Sequence, residues 1–346
     1  MIGAARRVGS RLRRRLRPPR RPRGPAALVL CYHRVAGLDR DPQRLAVEPE
    51  RFSRQLAALT ARYRVVPLSR LTEDVRSGAI ADGVVALTFD DGYADNLREA
   101  APRLERAGAH ATVFVTTHPV DRGVEFWWDR VERALLASPG LPAEFELAEL
   151  GLRFDGLEPE PSDPAWDVSR PPRTSRERAY LRCCGALRAL EPARRDGVID
   201  RLEGLAGIGA GCRGSHAPLT PEGVRALADS PAVEIGAHTL DHPVLSAMGE
   251  SGQRDQILGS RDRLAELVGR EPRLFSYPFG TADDFDSCSA RAVESSGFAG
   301  ACANIPGLVT ASSDPMSLPR VLARNWEPET LLRAVERSFA GEALYF

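Results

Sequence analysis

The amino-acid sequence predicts an α/β fold of parallel strands and helices, arranged as an α/β barrel. The first observation is an apolar run over residues 84–89 that ends in Asp90-Asp91-Gly92. A short apolar, β-branched run of this kind is typical of a buried parallel strand. The second is the alternation of strand and helix patterns along most of the chain. Apart from a central segment that breaks the pattern, roughly 220 residues alternate in this way, slightly fewer than the usual barrel length of about 250 residues.

The predicted elements before the central segment alternate regularly. Phe52, Leu56 and Leu59 recur at helical spacing, which indicates a helix that faces the core. Pro102 is compatible with a helix if a second helical segment begins there, and Gly108 ends that helix. The strands predicted at 84–89 and 112–116 flank a predicted helix, so the two strands of this unit are expected to pair in parallel. The predicted strands lie at 26–32, 65–68, 84–89 and 112–116, and the predicted helices at 50–62, 71–78 and 94–107.

Residues 119–219 interrupt the alternation, and we interpret them as an insertion in the barrel. Trp127 and Trp128 in this segment either line a platform for a sugar ring or pack in the interior. Interior packing is the more common role for at least one of the two rings. The insertion is predicted to contain a helix over 126–136, a hairpin over 144–154, a loop over 156–173 and two Arg-rich helices within 174–206.

After the insertion the alternation resumes and continues to the end of the chain. Thr220 is a good N-cap for the first helix. The predicted strands lie at 232–236, 274–277, 298–302 and 318–322, and the predicted helices at 220–229, 254–268, 287–296 and 328–339. We therefore divide the chain into an N-terminal arm, residues 1–25, and a barrel, residues 26–346, that carries the insertion.

Composition restricts the class of protein. Of the 346 residues, 43% are hydrophobic and 27% are charged, which is typical of a soluble globular protein. No run of about 18 apolar residues is present, so no membrane-spanning helix is expected. The six cysteines form no CxxC motif. Without a recognisable export signal, we expect reduced thiols and a cytoplasmic protein, either free or peripheral at the membrane.

The charges are unevenly distributed. Residues 1–23 contain ten arginines and no acidic residue, whereas the chain as a whole has 47 basic and 47 acidic residues. This arm is either disordered or a short basic amphipathic helix on an anionic membrane surface, and its prolines favour disorder. Nucleic acid is not an expected partner, because no aromatic residues accompany the arginines and the remainder of the chain is acidic.

Two histidines follow the strand predicted at 232–236. His238 and His242 are four residues apart, so on one helical turn both imidazoles point the same way. This spacing suits two ligands of one divalent ion, although two exposed histidines are the alternative. An aspartate from another strand end would supply a third ligand and leave a position open for water. One member of the pair Asp90 and Asp91 would then bind the ion, and the other would accept a proton from the water.

Three motifs in this order resemble the polysaccharide deacetylases of carbohydrate esterase family four. They are residues 88–92 (TFDDG), 238–243 (HTLDHP) and 276–280 (SYPFG). The resemblance covers roughly residues 26–118 and 217–340. It implies a distorted, seven-stranded (β/α) barrel with one bound divalent ion, zinc or a similar metal. Members of the family hydrolyse N-acetyl or, less often, O-acetyl groups of carbohydrates.

The resemblance also implies roles for individual residues. By position, Asp90 is the general base, and the backbone N–H of Phe279 helps to hold the oxyanion. The implied metal ligands are Asp91, His238 and His242, and the implied substrate or supporting residues are Tyr93, Tyr277, Pro278 and Arg320.

The sequence departs from the family pattern at two points. Many members have arginine where Ser276 stands, where it orients the catalytic aspartate; Arg320 is a candidate replacement. Many also have a late histidine that acts as general acid, but no histidine follows His242. Tyr32-His33 instead resembles the branch that deacetylates poly-N-acetylglucosamine, in which an N-terminal histidine is the acid. His33 is therefore the predicted acid here.

The leading functional hypothesis is a metal-dependent hydrolase that removes N-acetyl groups from an amino sugar in an oligosaccharide, glycolipid or polysaccharide. An O-acetyl carbohydrate esterase is the close alternative, because both reactions pass through the same kind of tetrahedral intermediate. A non-catalytic carbohydrate-binding protein is the third. Asp90 beside a metal site argues against the third alternative, because binding alone requires no general base.

Overall fold

The structure is a computed structural model that describes residues 24–209 and 211–342. The predictions for the basic arm, residues 1–23, lie outside the described residues. The described strands are β1 (Ala26–Tyr32), β2 (Arg34–Val35), β3 (Ala46–Val47), β4 (Arg64–Val65), β5 (Val84–Phe89), β6 (Ala111–Val115), β7 (Phe145–Leu147), β8 (Leu152–Phe154), β9 (Val233–Ala237), β10 (Leu274–Ser276), β11 (Gly300–Cys302), β12 (Val309–Thr310) and β13 (Val321–Leu322).

The helices surround the sheet and form the insertion. Two of them are continuous with π-helical turns, at Asn96–Ala100 before α3 and at Arg133–Ala137 after α5. The described helices are α1 (Pro49–Arg62), α2 (Leu68–Ser77), α3 (Ala101–Ala107), α4 (Thr117–Arg122), α5 (Trp127–Glu132), α6 (Ser175–Leu187), α7 (Pro192–Leu205), α8 (Pro221–Ala228), α9 (Glu250–Val268), α10 (Ser287–Ser295) and α11 (Pro328–Phe339). Within the described part of the chain, none of the helices has the length and apolar character needed to cross a bilayer.

The main sheet curls into a distorted (β/α) barrel. Its strands lie in the order β11-β10-β9-β6-β5-β1, and these neighbours are parallel. Strand β13 pairs parallel with β1 on the other side. The segment before β13 reaches β11, because the backbone N–H of Leu318 donates to the carbonyl of Ala301 at 2.8 Å. This contact joins the two ends of the sheet and closes a ring of seven parallel strands.

Alternate residues of each strand face opposite sides of the barrel wall. In β1, Ala27 and Val29 belong to the apolar cluster inside the barrel, whereas Leu28 and Leu30 pack against the surrounding helices. Leu71 of α2 lies in the inner cluster, and the backbone N–H of Ser69 in α2 donates to Glu234 of β9. Helix α2 therefore covers the end of the barrel at which the strands begin, which leaves the opposite end for the site.

The segment between β6 and β9 has an apolar core of its own. These two strands are neighbours in the sheet, so the intervening segment leaves the barrel and returns to it. Its core contains residues such as Trp166, Tyr180, Leu187 and Ile199, which cluster separately from the barrel. The hairpin β7–β8 and the helices α6 and α7 were all predicted from the sequence, and the structure contains each of them.

The differences from the predicted elements are local. The strand predicted at 65–68 ends at Val65, because Leu68 already begins α2. The helix predicted at 94–107 is irregular before Pro102: a π-helical turn ends at Ala100, and α3 begins with Pro102 in its first turn. Proline lacks an N–H, so it is tolerated where a helical segment begins.

Candidate metal and catalytic site

The two aspartates leave β5 in different directions. Val84 and Ala86 face the inside of the barrel, and Asp90 continues this alternate row just beyond the strand. Asp91 has a positive φ of 76°, so the chain turns sharply after Asp90. Gly92 has a φ of 88°, and a Cβ at this position would lie 3.0 Å from a methyl carbon of Val115. The turn therefore requires glycine, and it separates the side chains of the two aspartates.

Asp90 is held by Arg320, which comes from the segment that closes the barrel. Nη1 donates to Oδ1 of Asp90 and Nη2 to Oδ2, both at 2.7 Å. Nη2 also donates to the hydroxyl of Ser276 at 2.9 Å. Burial opposes ionisation of Asp90, but the charge of Arg320 outweighs it and holds the pKa of this carboxyl well below its usual range. The guanidinium that the family pattern has at position 276 is thus supplied here from position 320.

Asp91, His238 and His242 form a compact group of possible metal ligands. Oδ1 of Asp91 lies 3.7 Å from Nε2 of His238 and 3.6 Å from Nε2 of His242. Ligand atoms bound to one tetrahedral zinc ion lie roughly 3.3 Å apart. The three side chains are buried, and their ligand atoms lie within 4.8 Å of one another. This separation suits a divalent ion between them.

The electrostatics of these three residues also fit a cation. Oδ2 of Asp91 is buried and has no hydrogen-bond partner among the described residues. Burial, together with the charge of Asp90, raises the pKa of Asp91 well above its usual value. Burial also lowers the pKa of His238 and of His242, so both imidazoles are neutral and have a lone pair to offer. A bound cation would stabilise the Asp91 carboxylate and remove the cost of burying it.

The loop that carries the two histidines is not helical. The prediction of a helical turn over 238–242 is wrong, because Thr239 and His242 have positive φ angles of 67° and 54°. The two imidazoles nevertheless meet, with ring centroids 4.9 Å apart. Nδ1 of His238 lies 2.7 Å from the carbonyl oxygen of Ser276, which fixes this ring with Nε2 towards Asp91.

A cavity of about 120 Å³ opens over these residues. Two larger cavities, of about 280 and 420 Å³, have no histidine among their lining residues, so size alone does not identify the site. The lining residues come from the barrel and from the insertion, and are His33, Gln43, Leu45, Asp90, Asp91, Trp127, Trp128, His238, His242, Phe279 and Asn304.

His33 lies in this cavity, directly after β1. One of its ring nitrogens is within 4.8 Å of an Asp90 carboxylate oxygen. Burial lowers the pKa of His33 to about 4, although the Asp90 charge opposes this effect. The imidazole is therefore neutral in the resting site at neutral pH.

Phe279 lines the cavity with a strained backbone. Its φ is 58°, an uncommon value for a bulky residue. Nδ2 of Asn304 donates to the carbonyl of Phe279 at 2.8 Å. The backbone N–H of Asn304 donates to the carbonyl of Gly280, also at 2.8 Å. A Cβ at Gly280 would lie 2.7 Å from the backbone nitrogen of Asn304, so this close approach requires glycine. Asn304 thus holds the turn that presents Phe279.

The remaining predicted site residues lie behind the cavity wall. The hydroxyl of Tyr93 donates to Asp129 at 2.7 Å and accepts from Nε1 of Trp128 at 2.8 Å. The hydroxyl of Tyr277 donates to the carbonyl of Met316, and its ring stacks on Phe285. Their contacts are with the protein interior. Pro278 is also buried, and neither it nor Arg320 is among the lining residues.

Sequence reasoning missed several residues of the site. Gln43, Leu45 and Asn304 line the cavity but belong to no recognised motif. Trp127 and Trp128 were singled out, and both line the cavity although they are only 7% and 6% exposed. Each ring therefore packs in the interior and borders the site, and a platform for a sugar ring stays a prediction.

The fold and the site together define an α/β-barrel protein with a buried Asp–His–His group beside a second, arginine-bound carboxylate. The model of the family described as polysaccharide deacetylase matches residues 78–138 and 210–298. The first segment contains both aspartates, and the second contains both histidines and Phe279. Over these two segments the chain is similar to the polysaccharide deacetylase family.

Solved structures share the fold over nearly the whole chain. The deacetylase PplD from Streptococcus pyogenes, in complex with acetate, superposes with a TM-score of 0.57 at 17% identity and covers 90% of this chain and 98% of its own. IcaB from Ammonifex degensii superposes with a TM-score of 0.55 at 18% identity and covers 92% of this chain and 98% of its own. A de-N-acetylase from Aggregatibacter actinomycetemcomitans superposes with a TM-score of 0.54 at 15% identity and covers 90% of this chain and 99% of its own. A comparison with curated proteins finds no match.

Proposed function

We propose that the protein is a divalent-metal-dependent hydrolase that removes the acetyl group from an acetamido sugar in an oligosaccharide, glycolipid or polysaccharide. The observation that carries the proposal is the group Asp91, His238 and His242 beside the arginine-bound Asp90. A bound divalent ion, zinc by the donor set, would act as a Lewis acid and lower the pKa of a water molecule.

The residues around this group have complementary tasks. Asp90 is ionised across the neutral range and would accept a proton from the attacking water. Arg320 bonds both of its oxygens and so fixes the direction of the carboxylate. The N–H of Phe279 would donate to the oxygen that gains negative charge as the acetyl carbon becomes tetrahedral. His33 would give a proton to the departing amine. Because its resting imidazole is neutral, that proton would be the one that Asp90 has taken up.

Two further points support amide substrates. His33 follows β1, as in the branch that deacetylates poly-N-acetylglucosamine, and amide cleavage needs a proton donor because an amine anion is a poor leaving group. The chain is also similar in structure to a protein described as a de-N-acetylase. One observation favours O-acetyl esters instead: the low pKa of His33 leaves its imidazole neutral at rest, without the additional proton of an imidazolium acid. An ester leaving group needs less protonation than an amine.

Acetate release from matched substrates tests the proposal. The protein is treated with a chelator, divided, and assayed with and without added zinc on an N-acetylated chitooligosaccharide and an O-acetylated xylooligosaccharide. We expect zinc-dependent release from the N-acetylated substrate. Undiminished release after chelation would contradict metal dependence. Release from the O-acetylated substrate alone would establish the esterase.

A further inference from the structure

A buried arginine of the insertion contacts the loop that carries the histidines. Arg195 lies in α7, and its side chain is buried. Its Nη2 donates to the carbonyl of Asp241 at 2.6 Å, and its Nη1 donates to the carbonyl of His242 at 3.2 Å. The guanidinium also lies over the ring of Trp127, 5.3 Å from its centroid. One side chain of the insertion thus joins the backbone of a candidate metal ligand to the wall of the cavity.

His242 needs such a contact more than His238 does. The ring of His238 is fixed by its Nδ1 contact with the carbonyl of Ser276. Nδ1 of His242 is buried and has no hydrogen-bond partner among the described residues. The ring packs edge-on against Trp128 and Phe279, with centroids 4.8 and 4.6 Å away. Its direction is therefore set by packing and by the position of its backbone.

That backbone is in an uncommon conformation. Both Thr239 and His242 lie in the left-handed region, which is unfavourable for residues with a Cβ, and most of all for β-branched threonine. Within the loop, the N–H of His242 donates to the hydroxyl of Thr239 at 3.0 Å. The Arg195 fork bonds two successive carbonyls from outside the loop through two nitrogens held in one plane, a geometry that the single nitrogen of a lysine ammonium does not reproduce.

We propose that Arg195 is a positioning residue of the metal site, which holds the loop over residues 239–242 so that Nε2 of His242 faces Asp91. This inference rests on the proposed function, because it concerns affinity for the ion. Arg195 lies outside the two segments that match the family model, residues 78–138 and 210–298. The role is therefore a contribution of the insertion, and the insertion is part of the metal site.

Charge and geometry predict opposite effects for the loss of Arg195. Burial lowers the pKa of Arg195 to about 10, so the guanidinium is still charged at neutral pH. A positive charge next to a ligand of a divalent ion opposes metal binding, so a purely electrostatic role predicts tighter binding in a neutral variant. A positioning role predicts weaker binding, since loss of groups that orient metal ligands typically lowers affinity by about 10–100-fold.

The experiment measures zinc dissociation constants for the full-length protein by competition with a chromogenic chelator. The test variant is Arg195→Met, which keeps an apolar stem over Trp127 but removes the donors. Arg195→Lys keeps the charge but not the fork. Arg194→Met is the matched control, because Arg194 precedes Arg195 in the same helix and is exposed. Thermal unfolding of each apoprotein shows whether the variants fold.

We expect Arg195→Met to bind zinc about 10–100-fold more weakly than the control and Arg195→Lys to be intermediate. Unchanged or tighter zinc binding by a folded Arg195→Met protein would overturn the inference. If Arg195→Met fails to fold, Arg195→Lys decides. Zinc affinity of Arg195→Lys equal to that of the Arg194→Met control would then overturn the inference. Absence of zinc binding by the unaltered protein would instead refute the metal dependence in the proposed function.

Discussion

The two sides of the cavity hold their functional groups by different physical means. On the barrel side, defined here as Asp90, Arg320 and Ser276, the carboxylate is fixed by charge-assisted hydrogen bonds in a fully buried environment. On the insertion side, the ring of Trp128 packs against His242. Arg195, which lies over Trp127, donates to two carbonyls of the histidine loop. The barrel side therefore sets the charge of the proposed base, and the insertion side contacts the backbone of a candidate metal ligand.

This difference predicts which property of the protein responds to substitutions on each side. A buried ion pair is intolerant of substitution, because removal of one partner leaves an uncompensated charge. Loss of one ring contact or of one hydrogen bond to a carbonyl removes a smaller part of the stabilising free energy. Substitutions on the barrel side should therefore affect proton transfer and stability together. Those on the insertion side should affect metal affinity first.

The largest expected effect separates the two aspartates. Asp90→Asn should reduce turnover towards the upper end of the roughly 10²–10⁴-fold range of acid–base catalysis, because an amide cannot accept the proton. Its zinc affinity should be retained. Asp91→Asn should weaken zinc binding first, by more than about 100-fold, because it loses a ligand. Steady-state kinetics and zinc competition on both variants provide the measurement. The opposite pattern would reverse the two assigned roles.

Arg320→Met tests the ion pair on the barrel side. The substitution leaves Asp90 buried without its counter-charge, so the free energy of unfolding should fall by about 3–5 kcal/mol. Urea denaturation at neutral pH measures this change. The control is the double variant Asp90→Asn/Arg320→Met, which removes the stranded charge and should recover part of the loss. Equal instability of the single and double variants would show that the ion pair is not the cause.

His33→Ala distinguishes proton donation from general damage to the site. Turnover of an N-acetylated substrate should fall by roughly 10²–10⁴-fold, with unchanged zinc occupancy. An activated acetate ester should be affected much less, since its leaving group needs little protonation. If both substrates slow equally, or neither does, His33 is not the acid. In that case the proton comes from Asp90 or from water.

The smallest expected effect concerns the insertion side. Trp128→Phe keeps an aromatic ring beside His242 but removes the N–H that donates to Tyr93. The free energy of unfolding should fall by about 1 kcal/mol, and zinc affinity should change less than in Arg195→Met. Trp166→Phe is the control, because Trp166 is buried in the core of the insertion and does not line the cavity. A large loss of zinc affinity in Trp128→Phe alone would show that packing against Trp128, rather than the bonds from Arg195, holds the histidine loop in position.

Most of the fold was predictable because its signals are local. Strand β1 was predicted at its observed bounds, and the barrel was confirmed, because buried parallel strands are apolar runs bounded by helix patterns. Asp90, Asp91, His238 and His242 were also identified from the sequence, because each motif that contains them is a short continuous stretch. The basic arm and the assigned catalytic roles stay predictions.

The unpredicted parts depend on contacts between distant residues. The bond between Arg320 and Asp90 spans 230 residues, and only the comparison with the family pattern made Arg320 a candidate for it. No periodicity indicates which arginine of a helix such as α7 is buried. Asn304 holds Phe279 from a loop without a motif. The left-handed residues Thr239 and His242 were missed because neither is glycine, and such conformations are maintained by tertiary contacts.

The position of Arg320 has a consequence for the order in which the proposed active site forms during synthesis. Asp90 leaves the ribosome well before Arg320, which lies in the segment that closes the ring between β11 and β1. A chain that stops before this segment contains all three motifs, yet its Asp90 has no counter-charge and its sheet remains open. Because synthesis runs from the N-terminus, we expect the Asp90 carboxylate to gain its counter-charge only when the barrel closes. The Arg320–Asp90 contact therefore links closure of the sheet to the charge of the proposed base.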